Sequence, residues 1–324
     1  MFAYMIRRIL YALPILLAVN LLTFSLFFIV NSPDDVARMN LGTKHITQQD
    51  VDLWKQAHGY DLPLFYNSNE AGLRATTDTL FFKKSLELFT FNFGASASGR
   101  DISQDIEQRM LPSLALAIPT LILGLLLNIT FAMLMAFFRA TYIDVWGVAL
   151  CIVMMSVSAL FYIIGGQYLI GKLMQLVPIS GYQGGFEAIK FLILPTLIGI
   201  ISGIGSGSRW YRTIFLEEMN KEYVKTAHSK GLSEALVLFK HILKNAMIPI
   251  LTGVVVIIPL LFMGSLIMES FFGIPGLGSY TIDAIRQQDF DIVRCMVFLG
   301  TLLYIIGLIL TDISYTIVDP RVRL

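Results

Sequence analysis

Six apolar runs, each long enough to cross a bilayer, constrain this sequence more than any other feature. They fall at residues 9–30, 111–138, 145–171, 191–208, 249–272 and 292–313. The first would make a helix of about 33 Å, against a hydrocarbon core of about 30 Å. Inside hydrocarbon every backbone N–H and C=O must find its partner within the protein, and a helix achieves this within one segment. The runs therefore predict an all-α integral membrane protein with six transmembrane helices. Composition agrees: the 324-residue chain is 56% hydrophobic and 15% charged, with mean hydropathy +0.70, where soluble domains carry about 25% charged residues. A net charge of +1 gives no reason to expect a nucleic-acid partner.

The charges are sorted by position. Arg7 and Arg8 precede the first run and set the amino terminus in the cytoplasm. A secretory signal has a core of about 7–15 residues and a small-residue cleavage site. The first run is longer and shows no A-x-A pattern, so a retained span is expected, with Pro14 able to kink it. Residues 31–110 are polar and mixed in charge; long loops cross regardless of charge, so they are expected outside. Six crossings return the carboxyl terminus to the cytoplasm, with Arg321 and Arg323 in agreement. The expected organisation is a first span at 1–30, an extracytoplasmic region at 31–110, a five-helix core at 111–313 that contains a cytoplasmic loop at 209–248, and a cytoplasmic tail at 314–324.

Within the spans, Asn128 is expected to hydrogen-bond between helices. Gly165 and Gly166 allow close approach or bending, and Gly199, Gly203, Gly205 and Gly207 suit tight helix packing. The last group superficially resembles a nucleotide loop but has neither a preceding strand nor a following Lys-Ser/Thr. His45 and His58 lack the companions of a metal site. Cys151 and Cys295 are expected near opposite membrane faces, without a disulfide between them.

Residues 209–249 form the long polar stretch of the carboxyl-terminal half. Arg209, Arg212, Lys221, Lys225, Lys230, Lys240 and Lys244 place it in the cytoplasm. It reads as two short helices broken at Gly231, with Asn220 capping the first, Ser233 capping the second, and Glu234 in the second helix's first turn.

The segment Glu222-Tyr-Val-Lys-Thr226-Ala227-His-Ser-Lys230-Gly231, followed by Asn245-Ala246-Met-Ile248-Pro249, resembles the "EAA" loop of binding-protein-dependent ABC permeases, in the oligopeptide/dipeptide branch. Further along, Glu269 precedes Phe271-Phe272 and Gly273-Ile-Pro275-Gly276-Leu277-Gly278, with Asp283-Ala284-Ile285 and Asp289-Phe290 continuing the likeness. The ending Asp312-Ile-Ser-Tyr-Thr-Ile-Val-Asp319-Pro320-Arg321 is similar to the family's D-x-x-Y-x-x-x-D-P-R, and leans toward its microcin-uptake group. The outer region echoes the same branch, with departures at Gly59-Tyr60-Asp61 and Asn92.

The resemblance implies a type I importer fold with a long helical outer loop between spans 1 and 2. It implies that Glu222, Tyr223, Thr226, Ala227, Lys230, Gly231, Asn245 and Pro249 form a coupling element for a separate ATPase. It makes Glu269, Pro275, Gly276, Gly278 and Asp283 an outer gate or loop, Glu269 acting as ion pair or gate, and gives Asp312, Asp319 and Arg321 structural roles. Asp319 would brace a basic residue of the coupling region. Expected partners are a second homologous permease subunit, two ATPase subunits, an extracytoplasmic solute-binding protein and the lipid of a bacterial inner membrane.

The chain shows no Walker A sequence, HExxH, CxxC or Ser/His/Asp grouping. It is expected to be a transport subunit rather than an enzyme, with no cofactor or metal of its own; ATP and Mg belong to the ATPase subunits. The cargo implied is peptide or peptide-like. The alternatives are a nickel or other small-solute permease of the same family, or an ion-coupled secondary transporter, which would normally carry ionisable residues at mid-membrane.

Overall fold

The computed structural model describes residues 2–42 and 46–318. Its elements are helical throughout the described residues, and five helices are long and apolar enough to cross a membrane, or six if one bent pair counts as a span. The chain divides into two compact units, Met1–Gln108 with Thr281–Ile305, and Arg109–Tyr280 with Ile306–Leu324.

The first unit begins with α1 (Phe2–Val30), which contains Pro14. The polar stretch that follows is not irregular loop. It folds into α2 (Pro33–Leu41), α3 (Gln48–His58), the short α4 (Arg74–Thr77) and α5 (Leu80–Phe89). Local sequence sets these boundaries. Ser32 and Asp35, and again Thr47 and Asp50, form reciprocal capping boxes that satisfy amides left open by the first helical turn. Gly59 ends α3 in the left-handed conformation, at φ 70°. Phe24, Phe28, Val36, Tyr60, Leu80 and Phe290 make the core, with Phe24 meeting Phe65, Phe81 and Phe290 edge-on.

Beside this core lies a buried ionic cluster. Arg294 is 2% exposed and reaches Asp291 at 3.1 Å and the Lys84 carbonyl at 2.5 Å. Lys84 pairs with Asp291 at 3.2 Å, and the Tyr60 hydroxyl donates to the same carboxylate. Asp289 accepts hydrogen bonds from Ala97 N (2.8 Å) and Ile292 N (3.3 Å). His58 stacks on Trp54 and bonds that residue's carbonyl through Nδ1, so it is committed locally. No cluster of potential metal ligands exists among the described residues.

The second unit takes its walls from α6 (Ile102–Phe137), α7 (Tyr142–Ser156), α8 (Ala159–Gly166), which continues as a π-helix over Gln167–Leu173, and α9 (Ala188–Met219). After α9 come α10 (Glu222–Ser229), α11 (Glu234–Val237), a π-helical turn at Leu238–Ile242, α12 (Leu243–Val255), α13 (Ile257–Leu260) and α14 (Leu266–Phe272). The chain closes with α15 (Leu277–Gln287) and α16 (Phe290–Val318).

Small residues let α9 sit close to its neighbours. A Cβ at Gly205 would stand 2.6 Å from the Cys151 carbonyl oxygen, and one at Gly207 would stand 2.8 Å from the Asn128 amide. Ser208 Oγ donates to Asn128 Oδ1 at 2.9 Å, the interhelical bond expected of that amide. At the other end of the contact, Arg212 holds Asp144 through two bonds of 2.7 Å. Cys151 and Cys295 are free, buried thiols.

Four local expectations need correction. The third apolar run is not one rod: it turns by 87° between Ser156 and Ala159. The bend lies at Val157 and Ser158, which adopt extended backbone, and not at the Gly165-Gly166 pair. Gly166 instead packs against Ile198 and Leu194. The fourth run does not end as a helix at residue 208; α9 continues to Met219 because Phe215 buries one face of the polar extension. Asn220 consequently follows the carboxyl end of α9 and donates to the Leu216 carbonyl, rather than capping α10. Ser233 stands at the start of α11 but makes no capping side-chain bond.

Candidate functional site

Two constructions in the second unit hold most of the expected site residues. The first is the hairpin of α10 and the α11–α12 segment. Val224 and Ala227 are one turn apart on α10 and pack into a core with Phe215, Val237, Leu238, Ile242, Ala246 and Ile250. Ala227 is 5% exposed, so its small size sets how closely α10 approaches. The turn is made at Gly231, where φ is +76° and an L side chain would be strained. The opposite face of α10 is open: Glu222, Lys225, Thr226, Ser229 and Lys230 are exposed. Glu222 and Lys225 pair at 2.7 Å in full solvent, and Thr226 Oγ1 returns to the Glu222 carbonyl.

Tyr223 joins the helix to its support. Its hydroxyl donates to Glu218 Oε2 at 2.7 Å and is also hydrogen-bonded by the Asn245 side chain. Partial burial and the Glu218 carboxylate push its pKa up to about 12, so it stays a proton donor at neutral pH. Tyr223 and Asn245 are thus brought together from α10 and α12, while Pro249 is exposed further along α12. A cleft of about 600 Å³ lies beside the hairpin, lined among others by Phe138, Arg139, Asn220, Lys225, His228 and Glu234.

The second construction is organised by Glu269, which is completely buried on α14. Its Oε1 accepts from Ser113 Oγ (2.8 Å) and Ser265 N (3.0 Å), and its Oε2 accepts from Ser279 N (3.0 Å). Ser113 Oγ in turn accepts from Leu277 N at 2.8 Å. One carboxylate therefore ties α6, the turn before α14 and the first turn of α15 into a clamp. The glycines are there because it is so close: a Cβ on Gly264 or Gly276 would run into the Glu269 carboxylate, and one on Gly278 would lie 2.6 Å from the Ser265 carbonyl carbon. Gly264 and Gly273 also take positive φ, at +68° and +64°.

Of the two roles expected for Glu269, the ion pair is not what the structure shows. Its partners are a hydroxyl and backbone N–H groups, and no salt bridge reaches it among the described residues. Pro275 is exposed at the tip of the loop. Asp283 is exposed on α15 and belongs to the first unit, so it is not part of the clamp. Asp312 is half-buried on α16. Asp319 and Arg321 lie outside the described residues.

Sequence reasoning missed Ser113, Glu218 and the Asp144–Arg212 pair. Ser113 leaves no mark in a sequence, being one hydroxyl among apolar residues. Asp144 and Arg212 did leave a signal: opposite charges at the ends of two apolar runs, which deserve a partner in or near a membrane.

Against known proteins, residues 128–324 match the family described as the inner membrane component of binding-protein-dependent transport systems, and residues 1–78 match its amino-terminal membrane component. The chain belongs to this family of binding-protein-dependent transport permeases. It is 30% identical over 329 residues to a putative peptide transport system permease protein of Brucella abortus, across 100% of this chain and 99% of that one. It is 28% identical over 340 residues to the oligopeptide transport system permease protein AppB of Bacillus subtilis, across the whole of both chains. It is 29% identical over 328 residues to the glutathione transport system permease protein GsiC of Salmonella typhimurium, across 100% and 99%. Family and helices together make it a multi-pass inner membrane transport protein.

Proposed function

We propose that the chain is the membrane-spanning subunit of an ATP-driven importer that carries peptides or peptide-like solutes delivered by an external binding protein. The likeness supporting this runs end to end and is shared by relatives named for peptide, oligopeptide and glutathione transport. The observation that carries it is the α10 hairpin, a helix docked by one face on its own core and bare on the other, with a left-handed glycine as its hinge. In this reading the bare face of α10 and the cleft beside it meet a separate ATPase subunit. A second permease subunit completes the pathway, and ATP and Mg are bound by the ATPases. The amino and carboxyl termini are cytoplasmic and residues 31–110 face outward to the binding protein. The Glu269 clamp is the outer gate. Movement requires that ATP and loaded binding protein each bind one state of the permease better than the other.

The test is reconstitution of the complete importer in proteoliposomes with its binding protein. Peptide uptake should require ATP and both accessory components. A bifunctional cross-linker anchored at Lys225→Cys should capture the ATPase. Uptake driven by an ion gradient without any ATPase, or no capture of the ATPase from that position, would overturn the proposal.

A further inference from the structure

The outer ends of the first and last spans enclose a groove that the transport reading leaves unused. It holds about 460 Å³ and lies wholly within the first unit. Thr23, Phe27 and Val30 line one wall from the last two turns of α1, at the i, i+4, i+7 spacing of one helix face. Phe290, Val293 and Val297 line the other from the first turns of α16. The rings of Phe27 and Phe290 join the two walls, with centroids 4.2 Å apart. No charged residue lines the groove, and Thr23 Oγ1 spends its proton on the Val19 carbonyl at 2.9 Å. Polarity is concentrated at one end, in the side-chain amides of Asn31 and Gln288, which have no hydrogen-bond partner among the described residues. Gln288 is held there against its backbone preference. It ends α15 with φ at +55°, while its N–H bonds the Ile285 carbonyl and the Asp289 N–H bonds the Ala284 carbonyl. Glycine would make that turn without strain, so the turn itself does not call for glutamine.

Length and polarity select the occupant. Thr23 to Val30 is about 10 Å of helix, less than half of a hydrocarbon core of about 30 Å. A membrane-crossing helix from another subunit would lie along α1 through both leaflets, whereas this groove stops within one. An acyl chain hangs from the interface into a single leaflet, apolar along its length and polar at one end, which is the pattern of the groove. The ester carbonyls of a glycerophospholipid accept hydrogen bonds, and the side-chain NH2 groups of Asn31 and Gln288 donate them. With no charge in the lining, binding would not depend on headgroup charge. We propose that the groove is a site for one phospholipid of the outer leaflet, its acyl chain between α1 and α16 and its ester region against Asn31 and Gln288. The choice of leaflet rests on the reading above that residues 31–110 face outward. A lipid held there fills the space between the outer ends of α1 and α16.

The test uses the complete importer in phosphatidylethanolamine nanodiscs with a trace phospholipid that carries a photoactivatable diazirine in its acyl chain. Cross-links should concentrate on residues 23–31 and 290–297, equally for ethanolamine and glycerol headgroups. Val297→Trp fills the groove and should cut that labelling about tenfold, the loss of roughly two buried methylenes. Leu22→Trp, exposed on α1 outside the groove, should leave it unchanged. Gln288→Gly should raise the unfolding midpoint of the delipidated importer by relieving the left-handed turn, yet weaken the lipid label. Labelling spread evenly along α1, or untouched by Val297→Trp, would mean ordinary boundary lipid and overturn the inference. A gain in stability with full labelling in Gln288→Gly would overturn the role given to that amide. No label in the groove, with cross-links from Val293→Cys to a second permease subunit, would make it a subunit interface and overturn the lipid site. In right-side-out vesicles, a probe exchanged into the outer leaflet alone should give the same map. A map obtained only with the probe in the inner leaflet would instead sink the outward placement of residues 31–110.

Discussion

Glu269 is stable as a buried carboxylate only because donors surround it. A carboxylate offers acceptors alone, and Ser113, Ser265 and Ser279 supply the matching protons. Glu269→Gln would turn one acceptor into an NH2 facing an N–H that also donates. The expected cost is roughly 1–3 kcal/mol, one unsatisfied buried donor, read as a lower midpoint of thermal unfolding in detergent. Gly276→Ala drives a methyl into the same carboxylate and should cost at least as much, whereas Pro275→Ala, on an exposed residue, should stay within about 1 kcal/mol. Asp289 in the first unit gives a pH signature. Burial holds its carboxyl above the usual range, despite the bonds from Ala97 N and Ile292 N. The folded chain therefore binds that proton more tightly than the unfolded chain. The stabilisation from this group is complete below the unfolded pKa of about 3.9 and is lost as pH rises through the higher folded value. Asp289→Asn removes the titration and keeps an acceptor oxygen, so the slope of unfolding midpoint against pH just above pH 4 should change in that variant.

The hairpin of α10 shows how far an element can be read from residues alone. Gly231 was legible, because only a left-handed position explains a glycine between two basic amphipathic segments, and its φ is +76°. The end of α9 was not. Polarity from Arg209 onward signals departure from the apolar run, but a helix continues as long as one face is covered, and Phe215 supplies that face. The break in the third run was equally hidden, since Ser156-Val157-Ser158 carries neither Gly nor Pro. Its cause is local competition: Ser156 Oγ bonds back to the Ile152 carbonyl, and a β-branched Val follows in extended backbone. For the hairpin itself, Ala227→Leu should cost about 1–3 kcal/mol by overpacking the core under α10, seen as faster proteolysis near Gly231. Lys225→Ala should leave stability unchanged, because the exposed Glu222–Lys225 pair contributes little. In the assembled importer it should weaken the dependence of ATP hydrolysis on cargo.

At the scale of the second unit, the 87° bend raises the question whether the pair α7–α8 crosses the membrane or dips in and returns. Neither leg spans alone: 15 residues make about 22 Å, against a hydrocarbon core of about 30 Å. Two such legs at a right angle separate their outer ends by about 31 Å, which is enough. The contacts with α9 argue for a crossing. The pair starts at Asp144, bonded to Arg212, and Gly166 packs against Ile198 and Leu194. Arg212 and Leu194 are about 27 Å apart along α9 at 1.5 Å per residue. A segment that returned to its starting face would come back toward Arg212; this one advances along α9, itself long enough to span. We infer from these contacts that the bent pair is a crossing, which would bring the five long apolar helices among the described residues to six spans. A crossing puts the turn before α7 and the loop before α9 on opposite sides of the membrane, and a re-entrant hairpin puts them on the same side. Both have exposed residues, at Thr141 and at Gln183. With a membrane-impermeant thiol reagent, Gln183→Cys should label in intact cells or right-side-out vesicles, and Thr141→Cys only in inverted vesicles. Labelling of both from one side would make α7–α8 a re-entrant hairpin and reduce the protein to five crossings.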